Sequence, residues 1–230
     1  MKNIFKRLFL ISLCSLFIAL PCFAYASEVN LENVSNQHLS NFSYNKLSEE
    51  DVRKILYKEG TEKEVADNLI LKLKRGELWD SFKEEYQFLK PQINTNNFKK
   101  TLYPDGSFKI EEIKKLPTND LQLRRKIISE DRVQVYRNWV VVNVYFEMSF
   151  LRNTDSGRAL ITNQTKPVID IYDISGQGSV LDLDYGYIKE WRNPTYAWVS
   201  FYIVASTLTD QVWLKGFVNG NGYWTESHGI

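Results

Sequence analysis

The stretch Trp139–Phe150, WVVVNVYFEMSF, constrains this chain more than any other. Read with a period of two, Val140, Val142, Val144, Phe146, Met148 and Phe150 are all apolar. The alternate set, Trp139, Val141, Asn143, Tyr145, Glu147 and Ser149, is mixed. Successive strand side chains point to opposite faces, so the pattern predicts a strand with one buried and one partly wetted face. At about 3.3 Å per residue it spans roughly 40 Å, longer than most strands, and needs several partners to cover its dry face.

The rest of the C-terminal half supplies those partners. Strands are expected near 121–128, 132–137, 158–162, 167–174, 180–183, 187–191, 212–218 and 223–225, with glycine, proline and asparagine between many of them. Thr195–Thr207 is a second long strand, with Ala197, Val199, Phe201, Ile203 and Ala205 on one face and Tyr196, Trp198, Ser200, Tyr202, Val204 and Ser206 on the other. Leu102–Phe108, LYPDGSF, reads as a hairpin turn. Strands at short spacing without intervening helices predict a mainly antiparallel β-sandwich over 98–230, with barrel-like closure as a variant.

Helix signals lie upstream. Ser48 caps a first helix with Asp51 three residues on, Val52, Ile55 and Leu56 form its apolar stripe, and Gly60 ends it. Thr61 caps a second helix with Glu64, Val65, Ala66, Leu69, Ile70 and Leu73 form its stripe, and Gly76 stops it. The fold class is therefore α+β: an N-terminal helical hairpin within 47–97, followed by the sandwich. Residues 27–46 are polar and aperiodic and read as a disordered leader holding His38.

Residues 1–26 read as a signal peptide: Lys2, Lys6 and Arg7, then the apolar core Leu8–Leu20, then Ala24-Tyr25-Ala26. The apolar run is short of the ~20 residues that a membrane span needs. Both cysteines, Cys14 and Cys22, fall inside the signal, so the exported chain has no disulfide and no thiol nucleophile. The signal removes three of the 29 basic residues and none of the 28 acidic ones, leaving a formal charge of −2. No basic face stands out, which argues against nucleic acid as a partner.

The segments Thr61–Ser81, TEKEVADNLILKLKRGELWDS, and 101–110, TLYPDGSFKI, resemble a group of uncharacterised secreted proteins of Gram-positive bacteria. In these a helix ending in a Gly-Glu-Leu-Trp-Asp-Ser segment precedes a YPDGS hairpin and a β-rich C-terminal domain. The resemblance implies export and a helix-then-sandwich layout and adds no catalytic residue; the expected localisation is extracellular, with cell-wall association as a variant, and no cofactor is expected.

Catalytic chemistry has few residues to use. His38 and His228 are the only histidines, near opposite ends of the exported chain and without metal-ligand spacing, so no metal site is expected. Asp170, Asp173, Asp182, Asp184 and Glu190 crowd one region. Asp182 and Asp184, two apart, would share a strand face, as a glycan hydrolase pair requires. The same spacing suits calcium, but Asp182–Gly186 lacks the rest of a calcium loop. Solvated turn carboxylates are the preferred reading.

The aromatics suggest binding. Trp139, Tyr145, Tyr196, Trp198 and Tyr202 lie on the less apolar faces of the two long strands. Exposed, they would form a platform for a glycan or protein ligand of the envelope or a host. Covered, they would be a second buried layer beneath the helical hairpin, whose stripes need a surface; this simpler arrangement is preferred. The functional expectation is a non-enzymatic secreted binding protein, with a carboxylate-dependent glycan hydrolase second and a pore-forming toxin third.

Overall fold

The structure, a computed structural model, describes residues 34–39, 44–117, 128–173, 179–205 and 208–229. The segment 1–26 read as a signal peptide lies outside the described residues, as does nearly all of the strand expected near 121–128.

The alternating run forms a strand, but later than its pattern begins. Strand β7 is Val142–Asn153, paired with β6, Ile128–Asn138, from Asn138↔Asn143 to Ile128↔Asn153. Trp139–Val141 turn the chain between them. The Val141 N–H donates to the Trp139 carbonyl at 2.8 Å around Val140, whose φ is 71°. This is the strained, positive-φ form of a γ-turn, and a β-branched residue there costs on the order of 1–3 kcal/mol. The Val140 N–H donates to Asn138 Oδ1 at 2.5 Å, which holds the turn. All three turn residues are buried. Their apolar character reports burial rather than extension, which is why period-two reading carried the strand too far.

Two sheets follow. The larger orders β2 (Asn45–Lys46), β9 (Val168–Ile171), β7, β6, β5 (Phe108–Leu116), β4 (Phe98–Leu102) and β3 (Ile93–Asn94), with β8 (Arg158–Gln164) pairing β7 beyond β9. The smaller orders β1 (Val34–Leu39), β10 (Ser179–Ile188), β11 (Thr195–Ala205), β12 (Leu208–Val218) and β13 (Tyr223–His228). Pairing is antiparallel throughout except between β2 and β9. The sheets are separate rather than closed into a barrel, so the architecture is a β-rich, sandwich-like α+β fold.

Their facing sides are dry. Val133, Val135, Phe146, Met148 and Phe150 line one, and Val199, Phe201, Ile203, Val212 and Leu214 the other, all buried. The sheets come close at Gly216: a Cβ there would sit 2.6 Å from Val135 Cγ2 and 3.0 Å from Met148 Cε. Glycine suits that point because a Cβ would force the Val135 or Met148 side chain to shift.

Helices α1 (Glu49–Lys58) and α2 (Lys63–Lys74) run antiparallel: Lys74 pairs with Glu49 at 2.8 Å and Arg53 with Asp67. The Ser48–Asp51 capping box forms as expected. Thr61 is not the cap of α2; Glu62 stands there without a side-chain cap bond. The helices cover the outer face of the larger sheet. Lys100 on β4 reaches Glu59 Oε2 at 3.1 Å and lies 5.0 Å from the Phe108 ring, and Phe108 and Ile110 are buried in the same apolar cluster as Leu56, Leu69 and Ile70.

Part of the polar leader is ordered. Residues 34–39 pair antiparallel with β10, and Asn45–Lys46 pair with β9. An edge strand pairs through its backbone and needs no apolar period, so the sequence pattern missed it.

Candidate functional site

Helices on the larger sheet leave the outer face of the smaller one uncovered by them. Residues opposite one another in register share a face. The rows are Tyr196, Phe217 and Trp224; Trp198, Lys215 and Glu226; Ser200, Trp213 and His228; and Tyr202 with Gln211. Asp184 joins from β10, opposite Ser200.

The rings form a connected band. Trp224 stacks on Phe217 at 5.3 Å and 6°. Phe217 meets Tyr196 at 5.4 Å, and Tyr196 meets Trp198 at 5.9 Å. Trp213 stacks on His228 at 5.8 Å. The Lys215 ammonium sits between them, 5.3 Å from the Tyr196 ring and 4.9 Å from Trp213. The Trp198 indole N–H donates to Asp184 Oδ2 at 3.0 Å, and that of Trp224 to Glu226 at 3.1 Å. Asp184, Tyr196, Trp198, Ser200, Trp213 and Lys215 line a shallow hollow of about 310 Å3. Most of these rings are half-buried, and Tyr202 at the end of the band is 41% exposed. Aromatic faces beside a cation, a carboxylate and a hydroxyl can stack on an apolar ring face and hydrogen-bond its substituents.

The five aromatics singled out from sequence are not one surface. Tyr196, Trp198 and Tyr202 are together on this face, without the helical hairpin above them, which corrects the covered-layer expectation for β11. Tyr145 lies on the outer face of the other sheet, half-buried, 6.4 Å from Tyr136. Trp139 is fully buried in the β6–β7 turn, with the Arg137 guanidinium 3.1 Å above its ring, so it cannot belong to an exposed platform. Sequence reasoning left Trp213, Lys215, Phe217 and Trp224 out of the candidate set. The signal for three of them was present: Trp213, Lys215 and Phe217 alternate with the buried Val212, Leu214 and Val218.

Asp182 and Asp184 are not a facing pair. The β10–β11 register slips between Leu181 and Asp184, with Asp182 at φ 51°. A bulge breaks the alternation that would have put two carboxylates on one face. Asp182 is exposed, and Asp184 is bound to the Trp198 indole. No group of three or more His, Cys, Asp or Glu suited to a metal occurs among the described residues. No described helix is long and apolar enough to cross a membrane, which says nothing of a β-barrel.

No protein-family model matches this chain, and no curated protein does. Among solved structures, hypothetical protein lmo2686 from Listeria monocytogenes EGD-e is similar, with a TM-score of 0.36 and 18% identity over 57% of this chain and 93% of that one. A likeness this distant carries no argument.

Proposed function

We propose that this chain is an exported, non-enzymatic binding protein of the bacterial cell envelope or extracellular space, and that its ligand, a glycan or a protein, lies on the outer face of the smaller sheet. The observation that carries this reading is the band Trp224–Phe217–Tyr196–Trp198, which the helices leave uncovered. Aromatic rings at a surface give large contact area at low entropic cost and are enriched where proteins bind. The tripartite N-terminal sequence supports export, and the resemblance to secreted Gram-positive proteins agrees with it. Asp182 and Asp184, the pair on which the hydrolase alternative rested, do not share a strand face.

The test is co-sedimentation of the purified chain with isolated Gram-positive cell walls, with and without surface proteins removed by protease. Saturable sedimentation supports the reading, and its loss on protease treatment makes the ligand a protein rather than a glycan. Absence of saturable sedimentation in both preparations rejects it.

A further inference from the structure

A second concavity, of about 390 Å3, opens between the β4–β5 hairpin and β13. Its chemistry differs from the aromatic band. Lys99 and Lys109 line it with Glu111, Tyr103, Ser227 and Trp213.

One buried carboxylate serves several donors there. Glu111 accepts the Lys109 ammonium at 3.1 Å, lies 3.5 Å from that of Lys99, and accepts the Ser227 hydroxyl. Directly across the β5–β6 register stands Arg137, 1% exposed. Its guanidinium donates to the carbonyls of His228 at 2.9 Å and Gly229 at 2.7 Å, both uncharged, and its Nε has no partner. Asp210 also attracts Arg137, from β12. Glu226 stands at the exposed rim and is held by the Trp224 indole. The Tyr103 hydroxyl makes no hydrogen bond to the described residues.

The concavity is thus lined by Lys99 and Lys109, by the buried Glu111 that both lysines share and by Glu226 at the rim, with the Arg137 guanidinium behind Glu111 and the Thr225 carbonyl accepting from Lys99 at 3.3 Å. Cations brought together out of water are costly unless an anion neutralises them, and a cleft with low-dielectric walls focuses their field. Two observations agree with that field. Burial and then Arg137 depress the Lys109 amine to about 8. Burial pushes the Glu111 carboxyl up, but Lys109, the Ser227 hydroxyl and Arg137 together outweigh it and hold it below the ordinary carboxylate range.

We propose that this cleft is a binding site for an oxyanion carried on a small organic molecule, held by the Lys99 and Lys109 ammonium groups and the Tyr103 hydroxyl, with Trp213 as its apolar wall. A carboxylate and a phosphate ester share the recognised chemistry: oxygens that accept several N–H and O–H donors at once. Trp213 also lines the hollow of the aromatic band, so a response at Lys109, which that hollow lacks, distinguishes this site from the surface proposed above.

The test is an amide-shift NMR titration of the chain at constant ionic strength with inorganic phosphate, glucuronate and, as the uncharged control, glucose. The expected result is saturable binding of one or both anions, with shifts at Lys109 and Trp213 and none from glucose. Lys109→Gln should weaken the affinity at least tenfold. Lys99→Gln, nearer the surface, gives the same reading if Lys109→Gln does not fold, and Lys54→Gln on α1 should leave binding unchanged. Whichever anion binds tighter shows whether the cleft prefers a phosphate or a carboxylate. Absence of saturable binding by both anions, equal binding in a folded lysine variant, or equal binding of glucose overturns the proposal.

Discussion

Asp105 Oδ2 accepts the Lys72 ammonium at 2.9 Å, and the same oxygen accepts the Asp80 backbone N–H at 2.9 Å. Its other oxygen accepts the Ser107 hydroxyl at 2.6 Å and the Ser107 N–H at 3.0 Å. Ser107 in turn accepts the Ser81 N–H at 3.1 Å. The GELWDS and YPDGS segments are thus the two halves of one clasp that fastens α2 to the β4–β5 hairpin. Trp79 completes it, fully buried, with its indole donating to the Leu69 carbonyl at 2.7 Å. These motifs carry structure rather than chemistry.

Asp105→Ala should therefore destabilise the fold by about 3–5 kcal/mol, since it strips the only carboxylate from a partly buried ion pair and leaves several donors unanswered. Urea denaturation measures it. Burial raises the Asp105 carboxyl, but hydrogen bonds from Ser107, Lys72 and Asp80 outweigh that and hold it below its ordinary value. A depressed carboxyl contributes stability that is present above the unfolded-state value near 4 and is lost as pH falls through the folded one. The stability gap between wild type and Asp105→Asn should accordingly shrink as pH drops below about 4.

Gly216→Ala should cost about 1–3 kcal/mol, because the added methyl meets Val135 and Met148 across the sandwich. Chemical denaturation gives the value, and a second change, Val135→Ala, should recover part of it. Additive losses would mean that the two residues do not touch.

Much of this architecture is legible in the chain. Helices α1 and α2 follow from apolar spacing, and β11 and most of β7 from strict alternation. What escapes local pattern is what long-range pairing decides. The buried turn at Val140 looks like strand because only its surroundings make it a turn. The bulge at Asp182 leaves no local signal. The cleft escapes for the same reason: Ser227 and Glu111 are 116 residues apart and meet only when β13 comes beside β5. The aromatic band was half legible. Alternation in β11 pointed to Tyr196, Trp198 and Tyr202, but their neighbours on β12 and β13 emerge only with the register.

Lys109 makes a pH prediction of the same sign as Asp105, in an alkaline window. Its amine, depressed to about 8 when folded, binds a proton less readily than in the unfolded chain. The unfolded state then holds more protons between about pH 8 and 10.5, and stability rises with pH through that window. Burial raises Tyr103 and Tyr136, so above about pH 10 the unfolded chain ionises first and stability turns down. Lys109→Gln should flatten the rise by roughly 1–3 kcal/mol between pH 7 and 10. Melting temperatures across that range, with Lys54→Gln as control, decide it.

The uncovered aromatic face is tested most directly by one double variant, Trp198→Ala with Tyr202→Ala, measured by cell-wall co-sedimentation beside chemical denaturation. Both side chains lie on the outer face of β11, so their loss should cost no more than about 1–2 kcal/mol, against about 3–5 kcal/mol for the buried Phe201→Ala. The predicted result is a folded protein that no longer sediments with the walls. A folded double variant that sediments as wild type does would contradict the assignment of this face as the binding surface.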